Sequence, residues 1–287
     1  MNIETYLKER YTLKTAAVYK SDIETYLNNC PQAETAVLKD ITAYLGILRN
    51  RYGNRGTLHR ILASLKAYYE FLNRTGVRKD NPCKAIRLRD KQNRDIQLQD
   101  LFTSQELESL LERKERFNLL VNRNKVLTGL LIYQGLLPAE LEHLSLTDIN
   151  LTAGTVYIKA TVNTNRRTLQ LKPTQIMVLH EYIEQARKEL VKQQTEESLL
   201  IGSRGEPMKG EDITKHITRS FKGRFRGRTV NCQTIRQSVI TNLLKAGNDL
   251  RIVQVFAGHK YPSTTEKYKQ TSVEALKTAI QNYHPMR

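Results

Sequence analysis

Residues 232–270 read CQTIRQSVITNLLKAGNDLRIVQVFAGHKYPSTTEKYKQ, and this stretch carries most of the information on fold and function. It contains an arginine, a histidine and a tyrosine, Arg236, His259 and Tyr268, in that order. A guanidinium can stabilise charge on a phosphate, an imidazole can move a proton, and a phenol can attack phosphorus. The three residue types therefore indicate phosphoryl-transfer chemistry.

The charge of the chain indicates a polyanionic partner. The 287 residues carry a formal net charge of +17. Folding does not need such a surplus, which leaves nucleic acid, a membrane surface or a merely basic soluble protein, and nucleic acid is the leading interpretation. The sequence has no run of about 18 apolar residues and does not begin with a signal-peptide pattern. We expect a cytoplasmic, nucleoid-associated protein.

The cysteines predict neither a disulfide framework nor a zinc site. There are three, Cys30, Cys83 and Cys232, far apart and without a C-x-x-C pair. An odd number at such spacings is typical of small buried side chains. The E-x-x-H segment at Glu140 and His143, and the i, i+4 pair of His180 and Glu184, have no second motif, so both predict ordinary helix surface. No metal or other cofactor is expected.

The N-terminal part predicts a small helical bundle. Apolar residues recur at helical spacing in three segments separated by short polar breaks, 12–28, 38–50 and 57–73. The following residues are charged and lose the apolar period, which predicts a linker. We therefore divide the chain into residues 1–85, a basic linker 86–102 and residues 103–287.

The C-terminal part predicts helices around one small sheet. A capping-box pattern starts at Thr103 and Glu106, and two alternating runs, 155–159 and 167–171, predict a β-hairpin. Helices are predicted on both sides of the hairpin, at 126–134, 139–146, 173–193 and through most of the chain beyond residue 205. The fold class is mainly α with a small β-hairpin or sheet, in two domains.

The stretch quoted above resembles the C-terminal motif of the tyrosine recombinases, the phage-integrase family. That motif reads roughly H-x-L-R-H, then LL-x-x-G, then L-G-H, with a tyrosine nine residues after the last histidine. Arg236, His259 and Tyr268 match it. The resemblance extends over nearly the whole chain, since residues 62–72 followed by Asp-Asn-Pro at 80–82 are similar to the family's core-binding domain. It implies a helical core-binding domain at 1–85 and an α+β catalytic domain at 103–287.

The resemblance also implies a role for each matching residue. Tyr268 is expected to form a covalent 3′-phosphotyrosyl bond with one DNA strand, which keeps the energy of the broken bond. Arg236 is expected to stabilise the pentavalent transition state, and His259 to donate to the phosphate or accept the phenol proton. Gln233 stands where the family has a histidine, and it can donate a hydrogen bond but not carry a proton. Tyr261 and Tyr283 are competing phenols at less suitable spacings, and the alternative for Tyr268 is an ordinary half-buried side chain.

Two cations of the family pattern are missing. The arginine expected in a G-L-R-x-x-E-L segment is Leu137, and the hairpin lysine falls at the tip 160–162, near Thr161. Arg166 and Arg167 are adjacent on a predicted strand, so their side chains alternate and one faces inward in either register. We predict that the inward arginine replaces one of the missing cations.

The basic run 220–229 predicts a surface that grips the DNA backbone, with a solvated loop as the alternative. It holds four cations and no acid, with interleaved phenylalanine and glycine. Together with cations of the third helix and of the linker, the predicted DNA contacts are Arg60, Lys66, Arg87, Arg89, Lys222, Arg224, Arg226 and Arg228.

Three functions are compatible with this pattern. The first is a site-specific recombinase or integrase of a mobile element or phage, which closes as a two-domain clamp around double-stranded DNA. The second is a catalytically impaired DNA-binding accessory paralogue, and the third, weaker one is a type IB topoisomerase-like enzyme. The family further implies a homotetramer on DNA with exchange of the C-terminal helix, here predicted at 272–281, although such a helix can also fold back on its own domain.

Overall fold

A computed structural model of the chain describes residues 2–88, 100–193 and 195–268. The chain forms two compact units, Met1–Arg94 and Asp95–Arg287. Their boundary falls inside the segment predicted as a linker. Most of that linker, including Arg89, and the predicted helix 272–281 with Tyr283 lie outside the described residues.

The first unit is a bundle of helices around a tyrosine-rich core. Side-chain caps from Asn2, Thr12 and Asn54 begin three of its helices. In the core the Tyr26 and Tyr69 hydroxyls lie 2.6 Å apart, so both polar tips are satisfied where the rings are buried. The helices are α1 (Ile3–Arg10), α2 (Leu13–Asn29), α3 (Leu38–Arg51) and α4 (Arg55–Arg74).

The second unit begins with the predicted capping box. The Glu106 amide donates to Thr103 Oγ1 at 3.2 Å, and the Thr103 amide donates to the Glu106 carboxylate at 2.9 Å. The helices of this unit surround a large apolar core, and a smaller apolar cluster includes Tyr268. They are α5 (Ser104–Glu108), α6 (Asn118–Gln134), α7 (Pro138–Glu142), α8 (Pro173–Glu181), α9 (Arg187–Leu190), α10 (Gly210–Ser220), α11 (Cys232–Lys245), α12 (Leu250–Ala257) and α13 (Pro262–Glu266).

The sheet has three antiparallel strands in the order β1 (Ile149–Asn150), β2 (Thr155–Ile158) and β3 (Arg167–Gln170). Alternate residues of β2 and β3 point into the core, as a half-buried strand requires. The register pairs Ile158 with Arg167, so the first residue of β3 is a buried arginine. The prediction of a mainly helical fold with one small sheet is confirmed.

Three helices of the second unit differ from their predicted lengths. The helix predicted at 126–134 begins eight residues earlier, at Asn118. The helix predicted at 173–193 is interrupted by a π-type turn at Tyr182–Ala186 and ends at Leu190. The helix predicted at 139–146 ends at Glu142, because the Ser145 amide and hydroxyl both donate to the Asp148 carboxylate and begin a separate short 3₁₀ turn there.

Candidate active site

Arg236 lies in the first turns of α11 and ties two helix ends together. Its buried guanidinium donates to the Gly135 carbonyl and to the Ala257 carbonyl, each at 2.6 Å. Gly135 ends α6 in the left-handed conformation that glycine favours, and Ala257 is the last residue of α12. The arginine is thus held in one orientation, with donors already committed to main-chain oxygens.

Glu140 is a fully buried carboxylate at the centre of the site. Its oxygens accept from both terminal nitrogens of Arg167, at 2.7 and 3.1 Å, and from the Thr164 hydroxyl and the Leu137 amide, each at 2.9 Å. Arg236 Nη1 lies 3.9 Å from Glu140 Oε2. Burial alone would raise the pKa of Glu140, but these donors and charges hold it below its ordinary value. The prediction that Glu140 lies on the helix surface is wrong.

Arg167 is the inward member of the adjacent arginine pair. Its side chain is buried against Glu140, whereas Arg166 is exposed. The bidentate pairing uses both terminal nitrogens of Arg167, and its buried Nε has no hydrogen-bond partner among the described residues. The observed role of Arg167 is therefore to neutralise the Glu140 carboxylate. A further role in stabilising a DNA phosphate stays a prediction.

Gly258 makes the position of Arg167 possible. It ends α12 with φ +69°, and a Cβ atom there would lie 2.5 Å from Arg167 Nη1. Its carbonyl accepts from the Asn165 amide at 2.8 Å, and the next residue, His259, forms a β-bridge with Thr164. The loop between β2 and β3 is thereby held against the Gly-His segment.

His259 is buried and oriented by Thr265. The distance from His259 Nδ1 to Thr265 Oγ1 is 2.8 Å. Burial, and then the charges of Arg236 and Arg167, lower the pKa of His259 to about 4, so the ring is neutral at pH 7. If Nδ1 carries the proton and donates to Thr265, Nε2 is free to accept one.

Tyr268 lies against His259. The two rings are stacked, with centroids 5.9 Å apart and planes 18° apart. The tyrosine packs on Ile240, Val253 and Ala257. Burial raises the pKa of its phenol, and the charge of Arg236 opposes that rise. A phenol beside a neutral imidazole and a fixed guanidinium is suited to losing its proton during attack on phosphorus.

Two further positions of the family pattern carry no cation, and the lysine nearest to them is engaged in an ion pair. Gln233 is exposed in the first turn of α11. Thr161, where the family pattern has lysine, belongs to a tight turn in which its amide donates to the Thr164 carbonyl at 2.9 Å. Lys159, the nearest cation before the tip, pairs with Asp148 at 2.9 Å.

The basic run 220–229 contains exposed cations and one cation that is paired with a carboxylate. Lys222, Arg224 and Arg226 are exposed and form no ion pair in the part of the chain that the structure describes. Arg228 instead pairs with Glu106 and donates to the Leu101 carbonyl at 2.8 Å. The phenylalanine interleaved in the run, Phe225, packs on Phe102, with ring centroids 4.8 Å apart. The first three cations suit DNA contact best.

The first unit shows the same division. Arg60 pairs with Asp22, and Lys66 donates to the Ile86 carbonyl at 2.8 Å. Arg87 is exposed. DNA contact by these residues stays a prediction.

Neither a metal site nor a membrane-spanning helix is present in the part of the chain that the structure describes. Among the described residues no group of three or more histidine, cysteine, aspartate or glutamate side chains could hold a metal ion. Over the same ranges no helix is long and apolar enough to cross a membrane.

Four residues of the cluster were not predicted as site residues. Thr265 and Gly258 lie inside the S-T-T-x-x-Y and G-H segments, so motif position was a signal for both. Glu140 stood in the family's E-L pair, but no sequence feature revealed its burial. Thr164 lies in a loop without periodicity, and only the fold shows its hydrogen bond to Glu140.

Comparison with known proteins gives the class that this fold and site define. Residues 100–275 match the model of the phage integrase family, so the chain belongs to the tyrosine recombinases. The tyrosine recombinase XerD of Oceanobacillus iheyensis is 29% identical over 278 residues, which span 94% of this chain and 92% of that protein.

Solved structures share the fold. The Tn1549 transposon integrase in complex with transposon right end DNA has a TM-score of 0.69 at 17% identity, with 99% of each chain covered. A lambda integrase dimer bound to a COC′ core site has a TM-score of 0.70 at 18% identity, covering 94% of this chain and 93% of that one.

Proposed function

We propose that this chain is a site-specific DNA recombinase that cleaves and rejoins strands through a bond between Tyr268 and the 3′ phosphate. The observation that carries the proposal is the meeting of Tyr268, His259 and Arg236 in one buried cluster, although they come from separate segments. The XerD relatives and the DNA complexes of the structural neighbours support DNA as the substrate.

In the proposed step the Tyr268 oxygen attacks phosphorus and the bond to the 5′ oxygen breaks. The phenol proton passes to His259 Nε2, and the departing 5′ oxygen takes up a proton to become a hydroxyl. Arg236 holds a non-bridging oxygen in the transition state. Rejoining is the same step reversed, with a 5′ hydroxyl as the nucleophile.

Arg167 is the proposed substitute for the arginine absent at Leu137. It lies beside the same carboxylate as Arg236 and contacts the Gly258 turn that precedes His259. Loss of one transition-state donor costs on the order of 3 kcal/mol, which an enzyme could hardly tolerate without compensation.

A second candidate is a DNA-binding accessory paralogue that has lost catalysis. The observation that favours it is the engagement of both guanidinium groups, since Arg236 donates to two carbonyls and Arg167 to Glu140. The site then presents one net positive charge instead of two. The two candidates differ in covalent chemistry and not in DNA binding.

A nicked suicide duplex separates the two candidates. The target is first obtained by selecting bound duplexes from a random library, and the nick lets the cleaved fragment diffuse away so that the adduct accumulates. A covalent band on a denaturing gel is expected. A selected duplex bound tightly without any band would identify an accessory protein.

We also propose assembly as a homotetramer on DNA. The family resemblance supports this, and so does the amphipathic pattern of residues 272–281. Deletion of residues 272–287 should preserve binding to one site and abolish complexes of two duplexes on native gels. Unchanged two-duplex complexes would assign the segment to its own domain.

The biological setting is the last part of the proposal. We propose that the chain serves a mobile element or phage and is cytoplasmic and nucleoid-associated. Junction sequencing of cells that express the chain tests the first point, since element movement should leave new junctions at the selected target. Co-localisation of a fluorescent fusion with DNA tests the second.

A further inference from the structure

Thr265 is a fully buried polar residue of the candidate active site, and the proposed reaction gives it no role. It lies on α13, with 0% of its surface exposed. Its hydroxyl lies 2.8 Å from His259 Nδ1, and its carbonyl accepts from the Tyr268 amide at 3.0 Å. One residue is therefore bonded to both the proposed base and the proposed nucleophile.

Threonine hydroxyls of another helix in this unit bond to their own main chain. In α10, Thr214 donates to the Gly210 carbonyl at 2.8 Å, and Thr218 donates to the Thr214 carbonyl at 2.9 Å. A carbonyl one turn earlier is a common partner for a threonine within a helix. The hydroxyl of Thr265 is paired instead with an imidazole from outside α13, so helix formation does not account for its partner.

The main chain of His259 is held without help from Thr265. The His259 amide donates to the Gln254 carbonyl at 3.0 Å, and its carbonyl accepts from Gln254 Nε2 at 3.2 Å. The β-bridge with Thr164 holds the same residue. These bonds do not decide which ring nitrogen carries the proton. Among the described residues, the ring nitrogen with a hydrogen-bond partner is Nδ1, and that partner is Thr265.

A neutral imidazole must adopt one of two tautomers. Burial, and then the charges of Arg236 and Arg167, lower the pKa of His259 to about 4, so the ring carries a single N–H at pH 7. An N–H at Nδ1 can donate to the Thr265 oxygen and leaves a lone pair on Nε2. An N–H at Nε2 would leave that nitrogen unable to accept a proton. The bond made by one ring nitrogen sets the state of the other.

We infer that Thr265 is a positioning residue that keeps the proton of His259 on Nδ1 and so leaves Nε2 ready to accept the proton of Tyr268. In cleavage the phenol proton moves to Nε2, the ring becomes an imidazolium, and its Nδ1–H stays on the Thr265 oxygen. In rejoining, Nε2 returns that proton to the Tyr268 oxygen as the bond to phosphorus breaks. The inference rests on the proposed function.

Removal of the Thr265 hydroxyl tests this role. Thr265→Val keeps the shape of the side chain without the hydroxyl, and Thr265→Ser keeps the hydroxyl. Thr265→Val should slow adduct formation on the nicked duplex by about tenfold, which is part of the roughly 10²–10⁴-fold contribution of a general base, with affinity unchanged. Thr265→Ser should retain most of the wild-type rate. Thr264→Val, the same change at the half-buried neighbour, is the matched control and should cleave as the wild type does.

Nitrogen-15 NMR of the histidine rings measures the tautomer directly and needs no DNA. In the labelled wild-type chain at pH 7, His259 should show a protonated Nδ1 and an unprotonated Nε2. Its signals are identified by their loss in His259→Gln. Thr265→Val should shift the ring toward the other tautomer, and Thr265→Ser should not. The wild-type spectrum is informative even if a variant fails to fold.

The two measurements separate this inference from the proposed function. A wild-type ring with its proton on Nε2 would overturn the inference. Thr265→Val with the wild-type rate would also overturn it, and so would Thr265→Ser as slow as Thr265→Val. A covalent adduct in the wild type would leave the proposed function intact in each case. A wild type that forms no adduct on a selected duplex would overturn the proposed function and the catalytic part of the inference, while the NMR signals would still decide whether Thr265 sets the tautomer.

Discussion

Two sets of cations in the second unit, both predicted to serve DNA, differ in what holds them. Arg236 and Arg167 are buried and bonded to main-chain and carboxylate oxygens. Lys222, Arg224 and Arg226 are exposed without an ion pair in the part of the chain described. A cationic side chain can therefore either fix the orientation of a site or attract the DNA backbone, depending on its burial. Buried arginines fix the orientation of a site and respond little to salt, whereas exposed ones attract the phosphate backbone and respond strongly.

The largest expected effect is the loss of the covalent adduct when the proposed nucleophile in the buried cluster is changed. Tyr268→Phe removes the attacking oxygen and keeps the ring that stacks on His259, so the variant should bind its duplex normally and form no covalent adduct. A denaturing gel with the nicked duplex measures this. Tyr261→Phe is the matched control and should retain the adduct. An adduct in Tyr268→Phe, mapped to another tyrosine, would remove Tyr268 from the role of nucleophile.

The next largest effect is expected for Arg167 and not for its exposed neighbour Arg166. Arg167→Ala leaves Glu140 buried without its principal counter-ion, at a cost of about 3 to 5 kcal/mol in unfolding free energy. We also expect at least a tenfold loss of cleavage with little change in affinity. Urea unfolding and the initial rate of adduct formation measure the two effects. Arg166→Ala, at an exposed neighbour, should change neither.

A paired variant distinguishes the structural role of Arg167 from a role in cleavage. Glu140→Gln combined with Arg167→Met removes both charges, so most of the lost stability should return. Cleavage should stay low if Arg167 stabilises the phosphate. Cleavage at the wild-type rate would show that its function is to neutralise Glu140.

A smaller effect is expected for the exposed set. Changing Lys222, Arg224 and Arg226 together to alanine should reduce the slope of log K against log salt by about 3, because each contacted phosphate contributes about 0.9. Arg228→Ala is the control. It breaks the pair with Glu106 and should lower thermal stability with the salt slope unchanged. A triple variant with the wild-type slope would exclude this loop from the DNA surface.

The smallest effect concerns pH. Burial lowers the pKa of His259 to about 4, below its ordinary value of 6.5. The unfolded chain then binds more protons between these values, so stability is complete above pH 6.5 and is lost as pH falls toward 4. His259→Gln should make that fall shallower by up to one proton. Unfolding free energies measured across this range test it, with the exposed His180→Gln as control, and an unchanged slope would contradict the burial of a neutral ring.

The sequence predicted those helices and caps that depend only on the pattern of neighbouring residues. Helical periodicity predicted α2, α3 and α4 to within two residues at each end, and the capping box at Thr103 is present. The first helix, Ile3–Arg10, was missed because its eight residues hold too few apolar positions to show a period. Helical periodicity therefore predicted the long amphipathic helices of the first unit but not the short one.

The sequence could not predict what depends on distant partners. Glu140 resembles any surface glutamate in a short helix until the fold brings Arg167 to it from 27 positions away. Phe225 stands among cations predicted to contact the DNA backbone, yet its ring packs on Phe102. Chain order does not reveal which opposite charges or rings will meet. The predicted site therefore named Arg236, His259 and Tyr268, which the fold brings together, but not the carboxylate beside them.

The pairing of Glu140 with Arg167 also constrains the history of this lineage. The family pattern has its arginine at position 137, and this chain has its counter-ion at 167. An ancestor with neither arginine would have left Glu140 buried with Arg236, 3.9 Å away, as its nearest described counter-charge. The loss of the directly bonded partner costs up to about 3 to 5 kcal/mol, a large part of the stability margin of many domains. The exchange is therefore expected to have passed through a sequence with both arginines, and Gly258 had to be present before Arg167 could be accommodated. Ancestral reconstruction can look for that doubly charged intermediate.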